Sequence, residues 1–287
     1  MSAPKVSIII PVYNGAPTLG QCLQSVLNQS NPAFEVIVVD NNSIDQTKDI
    51  AIEFQSDYPN IQYVFEPLRS RGAARNAGII AAHGEIIVMT DSDCIVPYNW
   101  IESLIAPIVN EGETIVMGHE YDLNKNFWSK SIQEANQSFF GKYLNGNYIT
   151  VLDTKNFAIT TDTMKQFMFN PSVGNIEDFE LSIRLRDKVK IRYIPSIKVG
   201  HYHKNSLVSW FKLNFNRGYW AGIVFHMHKE KEFIHNDTMF ESRKLTNLIK
   251  LPFWMALQLL KNPSKKIGFI FLTEISWRAG LYWGRKC

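Results

Sequence analysis

Val6-Ser-Ile-Ile-Ile-Pro-Val12 and Glu35-Val-Ile-Val-Val-Asp40 decide the fold. Both are β-branched, nearly continuous apolar runs of strand length, the pattern of parallel strands covered on both faces. Between them, residues 17–28 carry Leu19, Cys22, Leu23, Val26 and Leu27 at helical spacing, so the chain opens as a βαβ unit. Working outward, the pattern predicts a helix over 45–55, a short strand over 62–65, a helix over 73–82 and a strand over 85–90. The strands end in polar residues: Tyr13-Asn14, Asp40-Asn41-Asn42 and Asp91-Ser92-Asp93. In open α/β sheets the ligand crevice lies outside the carboxyl ends of the strands, so these three clusters are expected to line one site. Further on, the reading is a helix after Trp100, a strand near 114–118 and a helix over 178–188, where Phe179, Leu181, Ile183 and Leu185 alternate with polar residues. A strand over 191–199 leads to His201-Tyr-His203, and a long aromatic helix covers 207–227.

At 287 residues, with 45% hydrophobic and 20% charged side chains, the chain can bury a full core, which excludes disorder. Cys22, Cys94 and Cys287 have no CxxC spacing and suggest neither a disulfide framework nor a cysteine zinc site. The first apolar run has strand length and does not read as a signal peptide, so a cytoplasmic protein is expected. The net charge of +3 conceals an asymmetry, because residues 243–287 hold nine Lys or Arg against the single Glu274. A basic, Trp-containing tail over 231–287 on an acidic body over 1–230 points to an anionic partner for the tail. An anionic membrane surface is preferred to nucleic acid, which is not expected. The runs 251–260 and 267–283, flanked by Lys250, Lys261, Lys265 and Lys266, suit interfacial helices lying on the inner face of a cell membrane. A helical hairpin packed on the protein itself, or an oligomer contact, is the competing reading.

Two carboxylates on alternate residues after an apolar strand, Asp91 and Asp93, can hold one divalent cation, which in turn bridges diphosphate oxygens. A turn or a helix cap uses the same residues, and the position at a strand end favours the metal. Neither GxGxxG nor GxxxxGK[ST] occurs at the first two turns, so phosphates must be held through metal and side chains. Glu177-Asp178 before a helical stretch can serve as first-turn charge, or Asp178 can take a proton from an attacking alcohol. His201 and His203 can complete a metal's ligand set or contact phosphates, or be ordinary core histidines. Arg71, Arg75 and Arg217 are candidates to neutralise a leaving diphosphate, Arg71 foremost.

Taken as an ordered set, Val6-Ser-Ile-Ile-Ile-Pro-Val-Tyr-Asn14, Val38-Val-Asp40-Asn-Asn-Ser, Arg71-Gly-Ala-Ala-Arg-Asn-Ala-Gly78, Asp91-Ser-Asp93 and Glu177-Asp178 resemble the family 2 glycosyltransferases over residues 5–225. The resemblance implies a GT-A fold, a Rossmann-like mixed β-sheet sandwiched by helices, here with a C-terminal aromatic helical extension. It implies inversion at the anomeric carbon, a nucleotide-sugar donor (often a UDP-sugar) and a Mn or Mg ion. Pro11, Tyr13, Asn14, Asp40, Arg71, Asp91, Ser92, Asn156 and Glu177 then fall to the donor, Asp40 to its base. Asp93 is the principal metal carboxylate, with His201 or His203 beside it, and Asp178 is the base. The implied acceptor is a glycan or a lipid-linked saccharide. The Gln-x-x-Arg-Trp motif of processive synthases is replaced by Asn216-Arg-Gly-Tyr-Trp220, so single addition is expected. A sugar nucleotidyltransferase would carry a Gly-rich basic loop where Pro11-Val-Tyr-Asn-Gly15 stands; a non-catalytic, membrane-associated nucleotide-sugar-binding protein is the other alternative.

Overall fold

A computed structural model describes residues 3–124, 126–203, 206–230 and 265–285. The chain separates into two compact units: Met1–Leu123 with Phe139–Tyr202, and Asn124–Ser138 with His203–Cys287. The first opens with β1 (Val6–Val12), α1 (Ala16–Leu27), β2 (Glu35–Asp40), α2 (Thr47–Asp57), β3 (Ile61–Phe65), α3 (Arg71–Ala81) and β4 (Ile86–Met89). β1, β2, β3 and β4 are mutually parallel where they pair, with Val12 opposite Asp40 and Asp40 opposite Phe65. Their carboxyl ends therefore share one edge, as the apolar runs predict.

Continuous apolarity has a direct cause here. Ile8, Ile10, Val36, Val38 and Val88 form one core cluster with Leu19, Cys22, Leu23 and Val26 of α1 and with Trp100, Ile101 and Leu104 of α4 (Trp100–Glu111). On the other face, a Cβ at Gly78 of α3 would lie 2.4 Å from Ile9 Cγ2, so α3 rests almost directly on β1. Helices thus cover both faces of β1, β2 and β4, whose residues are buried whichever way they point save the half-buried Pro11 and Glu35, while the edge strand β3 leaves Gln62 and Phe65 exposed. Local signals set the ends: Pro17 lies in the first turn of α1, Ser70 Oγ accepts from Ala73 N–H to cap α3, and Gly112 ends α4 at φ 73°.

The remaining strands of this unit are β5 (Cys94–Ile95), β6 (Ile115–Asp122), β7 (Leu144–Asn145), β8 (Tyr148–Ile149), β9 (Phe157–Thr160) and β10 (Ile191–His201). One sheet results, ordered β3-β2-β1-β4-β9-β6-β10-β8-β7, with β5 pairing to β10. β9 is unforeseen by the sequence reading, yet it stands mid-sheet, antiparallel to both β4 and β6. Its amino end therefore lies at the edge where its neighbours have their carboxyl ends, bringing residues 153–156 to that edge. α6 (Thr161–Phe167) follows it, and α7 (Glu177–Leu185) precedes β10. α7 buries Phe179, Glu180, Leu181, Ser182, Ile183 and Leu185, nearly all round, which is why its sequence alternates instead of showing a helical stripe. The mixed α/β sheet flanked by helices is the fold class expected.

In the second unit, α8 (Leu207–Met227) and α9 (Lys265–Gly284) run parallel. Trp210 Nε1 donates to Thr273 Oγ1 (2.9 Å) and Ser276 Oγ to Phe211 O (2.6 Å). Glycines line their seam: a Cβ at Gly218 would lie 2.0 Å from Trp277 O, at Gly280 2.0 Å from Phe215 O, and at Gly284 1.9 Å from Tyr219 O. α5 (Phe127–Gly141) contributes its residues 127–138 to this unit. Among the described residues no helix is long and apolar enough to cross a membrane. The expected run 267–283 is helical within α9, whereas 251–260, Lys250 and Lys261 lie outside the described residues.

Candidate active site

Two asparagines shape the first pair of strand ends. Asn14 (φ 50°) and Asn42 (φ 62°) take left-handed backbone, which Asn tolerates better than most residues. Asn14 N–H donates to Ser43 Oγ (2.9 Å) while Asn14 Oδ1 accepts from Ile44 N–H (3.0 Å), lacing the two turns together. Asp40, 2% exposed, accepts from Ser43 N–H (2.9 Å) through Oδ1 and from Tyr63 OH (3.0 Å) through Oδ2. Burial, then the bond to Asp40, pushes the Tyr63 phenol up to about 12, so it stays a donor. Pro11 lies opposite Val39 in the sheet. Tyr13 is exposed, with the Arg69 guanidinium 4.3 Å from its ring centroid.

At the end of β4 a buried guanidinium gathers the acids. Arg75, 3% exposed, donates through Nη1 to Glu177 Oε1 and through Nη2 to Asp91 Oδ1 (2.9 Å) and Thr154 Oγ1 (2.8 Å). α3 is thereby tied to β4, to α7 and to the lead-in of β9. Burial, with Asp93 adding to it, raises the Asp91 carboxyl against the pull of Arg75. Arg71, one turn earlier, donates to Asn175 Oδ1 (3.0 Å) and is otherwise exposed. Ser92 is half-buried between the two aspartates.

Asp93 faces His201, with Nε2 3.4 Å from Asp93 Oδ1. On the other side of the ring, Nδ1 is 3.0 Å from Glu120 Oε2, and Lys155 Nζ is 3.4 Å from the same oxygen and 2.8 Å from Asp153 Oδ1. Burial would lower the His201 pKa, but Asp93 and Glu120 outweigh it and push it up to about 9. Burial likewise opposes the Lys155 ammonium, yet Asp153, Glu120 and Asp91 hold it charged. Asp93, His201 and Cys94 place one ligand atom each within 4.8 Å of one another. Burial, then Asp93, drives the Cys94 thiol well up, so carboxylate and imidazole are the usable donors. That pair, partly open to solvent, suits Mn or Mg completed by phosphate oxygens.

Asp178 stands in the first turn of α7, two residues after the N-cap Ile176, a β-branched residue held at φ 67°. Such a conformation costs of order 1–3 kcal/mol and persists only where its surroundings enforce it. Burial, then Glu177 and Asp153, pushes the Asp178 carboxyl up to about 6 against Lys155 and Arg75. A carboxylate of that basicity is poised to take a proton near neutral pH.

The structure thus brings Asp40, Asp91, Ser92, Asp93, Glu177, Asp178 and His201 to one sheet edge. Asn156 instead braces the framework. Its amide accepts from Trp100 Nε1 (2.8 Å) and donates to His119 O (2.8 Å) and Ile197 O (2.9 Å), and it is 1% exposed. His203 and Arg217 belong to the second unit, where His203 Nε2 is 3.0 Å from Gln133 Oε1. Glu120 and Asp153 go unnoticed in the sequence, and Thr154 and Lys155 enter it only within the motif Thr154-Lys-Asn-Phe-Ala158 that singles out Asn156.

Residues 7–173 match the model of the Glycosyl transferase family 2. Among curated relatives, Glycosyltransferase AglE of Haloferax volcanii is 40% identical over 119 residues, 40% of this chain and 39% of that one. The GalNAc(5)-diNAcBac-PP-undecaprenol beta-1,3-glucosyltransferase of Campylobacter jejuni is 28% identical over 170 residues, 54% of this chain and 55% of that one. In each case the chain spans less than two thirds of the relative's length. The fold is similar to that of a mannosyltransferase from Pyrobaculum calidifontis solved with GDP-Man and Mn2+ (TM-score 0.75, 16% identity, 99% of this chain and 87% of that one). It is also similar to the glucosyl-3-phosphoglycerate synthase of Mycobacterium tuberculosis with Mn2+ and UDP (TM-score 0.56, 20% identity, 78% and 79%).

Proposed function

Since the chain belongs to glycosyl transferase family 2, we propose that it transfers a sugar from a nucleotide diphosphate sugar, by preference a UDP-sugar, to an acceptor hydroxyl with inversion. The observation that carries this reading is the run of coupled charges along one sheet edge, from His201 and Asp93 through Asp91, Arg75 and Glu177 to Asp178. Asp40 receives the base, beside Tyr13, whose exposed ring offers it a stacking face. Asp93 and His201 would hold Mn or Mg, which when bound supplies positive charge at the leaving diphosphate. Arg71 faces the same negative charge from the exposed end of α3. As the acceptor oxygen bonds to the anomeric carbon, the bond to the diphosphate oxygen breaks. Its electron pair leaves with the nucleotide, and the hydroxyl proton passes to Asp178. Attack and departure on opposite faces of one carbon give inversion.

We assign the transfer chemistry to residues within 1–230 and attachment at the inner face of a membrane to the basic tail. The undecaprenol-linked glycan in the name of the Campylobacter relative supports a lipid-linked acceptor. The test is nucleoside diphosphate release from a panel of UDP-, GDP- and TDP-sugars with Mn or Mg, with and without lipid-linked acceptors. Release from one donor, abolished by chelator and by Asp93→Ala, is expected. No release from any donor, together with no metal-dependent nucleotide binding, refutes the reading.

A further inference from the structure

We infer that Ser182 is a positioning residue that aims the Asp178 carboxylate, an inference that rests on the assignment of Asp178 as the base. α7 starts without a side-chain cap, because its N-cap is Ile176, whose side chain carries no acceptor. The first turn, which holds Asp178, therefore needs a tether from elsewhere. Ser182, one turn later and 2% exposed, supplies it. Its Oγ accepts from Leu152 N–H (2.7 Å) and donates to Asp178 O (2.7 Å). An amide N–H can only donate and a hydroxyl has one proton, so the direction of both bonds is fixed. The carbonyl that Ser182 holds belongs to the same peptide unit as Phe179 N–H, and that N–H donates to Asp178 Oδ1 (2.8 Å). It is free to do so because the first N–H groups of a helix have no partner within it. A peptide unit is planar, so holding its carbonyl sets the direction of its N–H, which in turn orients the carboxylate. Oδ2 is left to receive the acceptor proton. The other arm of Ser182 matters as well, since Leu152 leads into Asp153 and Lys155. These two charges face Asp178 together with Glu177 beside it and Arg75 from α3. One hydroxyl thus sets both the aim of the carboxylate and the register of α7 against the segment that carries two of its charged neighbours.

The test measures kcat, KM and the pH profile of nucleoside diphosphate release by the full chain with donor and acceptor. Ser182→Ala is expected to lower kcat about 10- to 100-fold through misplacement of the carboxylate, with KM for the donor unchanged. The acid limb of its kcat/KM profile is expected to move from about 6 towards the ordinary carboxylate range, because a loosened first turn admits water and burial is the largest cause of the raised Asp178 pKa. Ser182→Cys nearly preserves the shape while weakening both bonds, so its kcat should fall between; it carries the test should Ser182→Ala fail to fold. Wild-type kcat and an unmoved acid limb in either folded variant overturn the inference while leaving the base standing. A donor KM that rises in step with the loss of kcat makes Ser182 part of the framework and overturns it too. Should Asp178→Asn keep wild-type kcat, the base assignment itself fails and the inference with it.

Discussion

Replacing Arg75 with Met asks whether one guanidinium ties the acidic elements of the site together. Arg75 is 3% exposed and holds Glu177, Asp91 and Thr154, which come from three separate segments. Met has comparable length and no charge. The variant leaves Glu177, 2% exposed, with no counter-ion, and its Oε2 already has no hydrogen-bond partner. Removing one member of a buried ion pair costs about 3–5 kcal/mol. The Asp91 arm adds little, since that side chain is 29% exposed and water screens it. At about 2–4 °C per kcal/mol for a domain of this size, thermal unfolding followed by circular dichroism should show Tm lower by about 6–20 °C. The pair Arg75→Met/Glu177→Gln removes the stranded charge and should recover at least half of the loss. Arg75→Lys should fall between, because one ammonium cannot present the guanidinium's fork of donors. Unfolding of Arg75→Met within about 2 °C of wild type, or full additivity of the two substitutions, would refute the account.

Asp178, held at about 6, acts only when ionised, so kcat/KM should fall about tenfold per pH unit below 6 and level off above it. A flat profile from pH 5 to 7 removes it as the base. Its folded pKa lies above the ordinary 3.8, so the native state binds the proton more tightly and ionisation costs stability as pH rises from about 4 to 6. Asp178→Asn should therefore raise Tm at pH 7 while lowering kcat by on the order of 100-fold or more. Gly280→Ala would press a Cβ to 2.0 Å from Phe215 O and should destabilise by about 1–3 kcal/mol, read from urea unfolding followed by Trp fluorescence. Gly141→Ala, with nothing within 4 Å, serves as the control and should change stability by less than about 1 kcal/mol. Tyr63→Phe leaves Asp40 with Ser43 N–H alone and should weaken UDP binding several-fold without shifting Mn2+ affinity; equal loss of both would place Tyr63 in the framework.

β1, β2 and β4 are legible in the sequence because burial on both faces makes each a nearly continuous apolar run, and the polar residues after each run mark the site edge. β9 is not legible. Phe157-Ala-Ile-Thr160 is too short to declare itself, and its central place depends on antiparallel pairing with strands distant in sequence. Asn156 falls in that gap: its motif suggests a donor role, whereas its bonds to Trp100, His119 and Ile197 come from the sheet that β9 completes. Asp93, Asp178 and His201 can be named because a carboxylate or imidazole after an apolar strand or before a helix is a local signal. Glu120 and Lys155 cannot, because what gives them meaning is a partner across the sheet.

The glycine seam of α8 and α9 bears on how the protein is made. Chains emerge from the ribosome N-terminus first, and α8 leaves before residues 265–284 have been translated. Until then Gly218 and Gly222 present uncovered backbone beside Tyr219 and Trp220, a groove shaped for one particular helix. A nascent chain in that interval is a natural client for chaperones. A premature stop codon anywhere between the two helices removes the only partner that seam fits among the described residues, so a late nonsense mutation strikes this unit as hard as an early one.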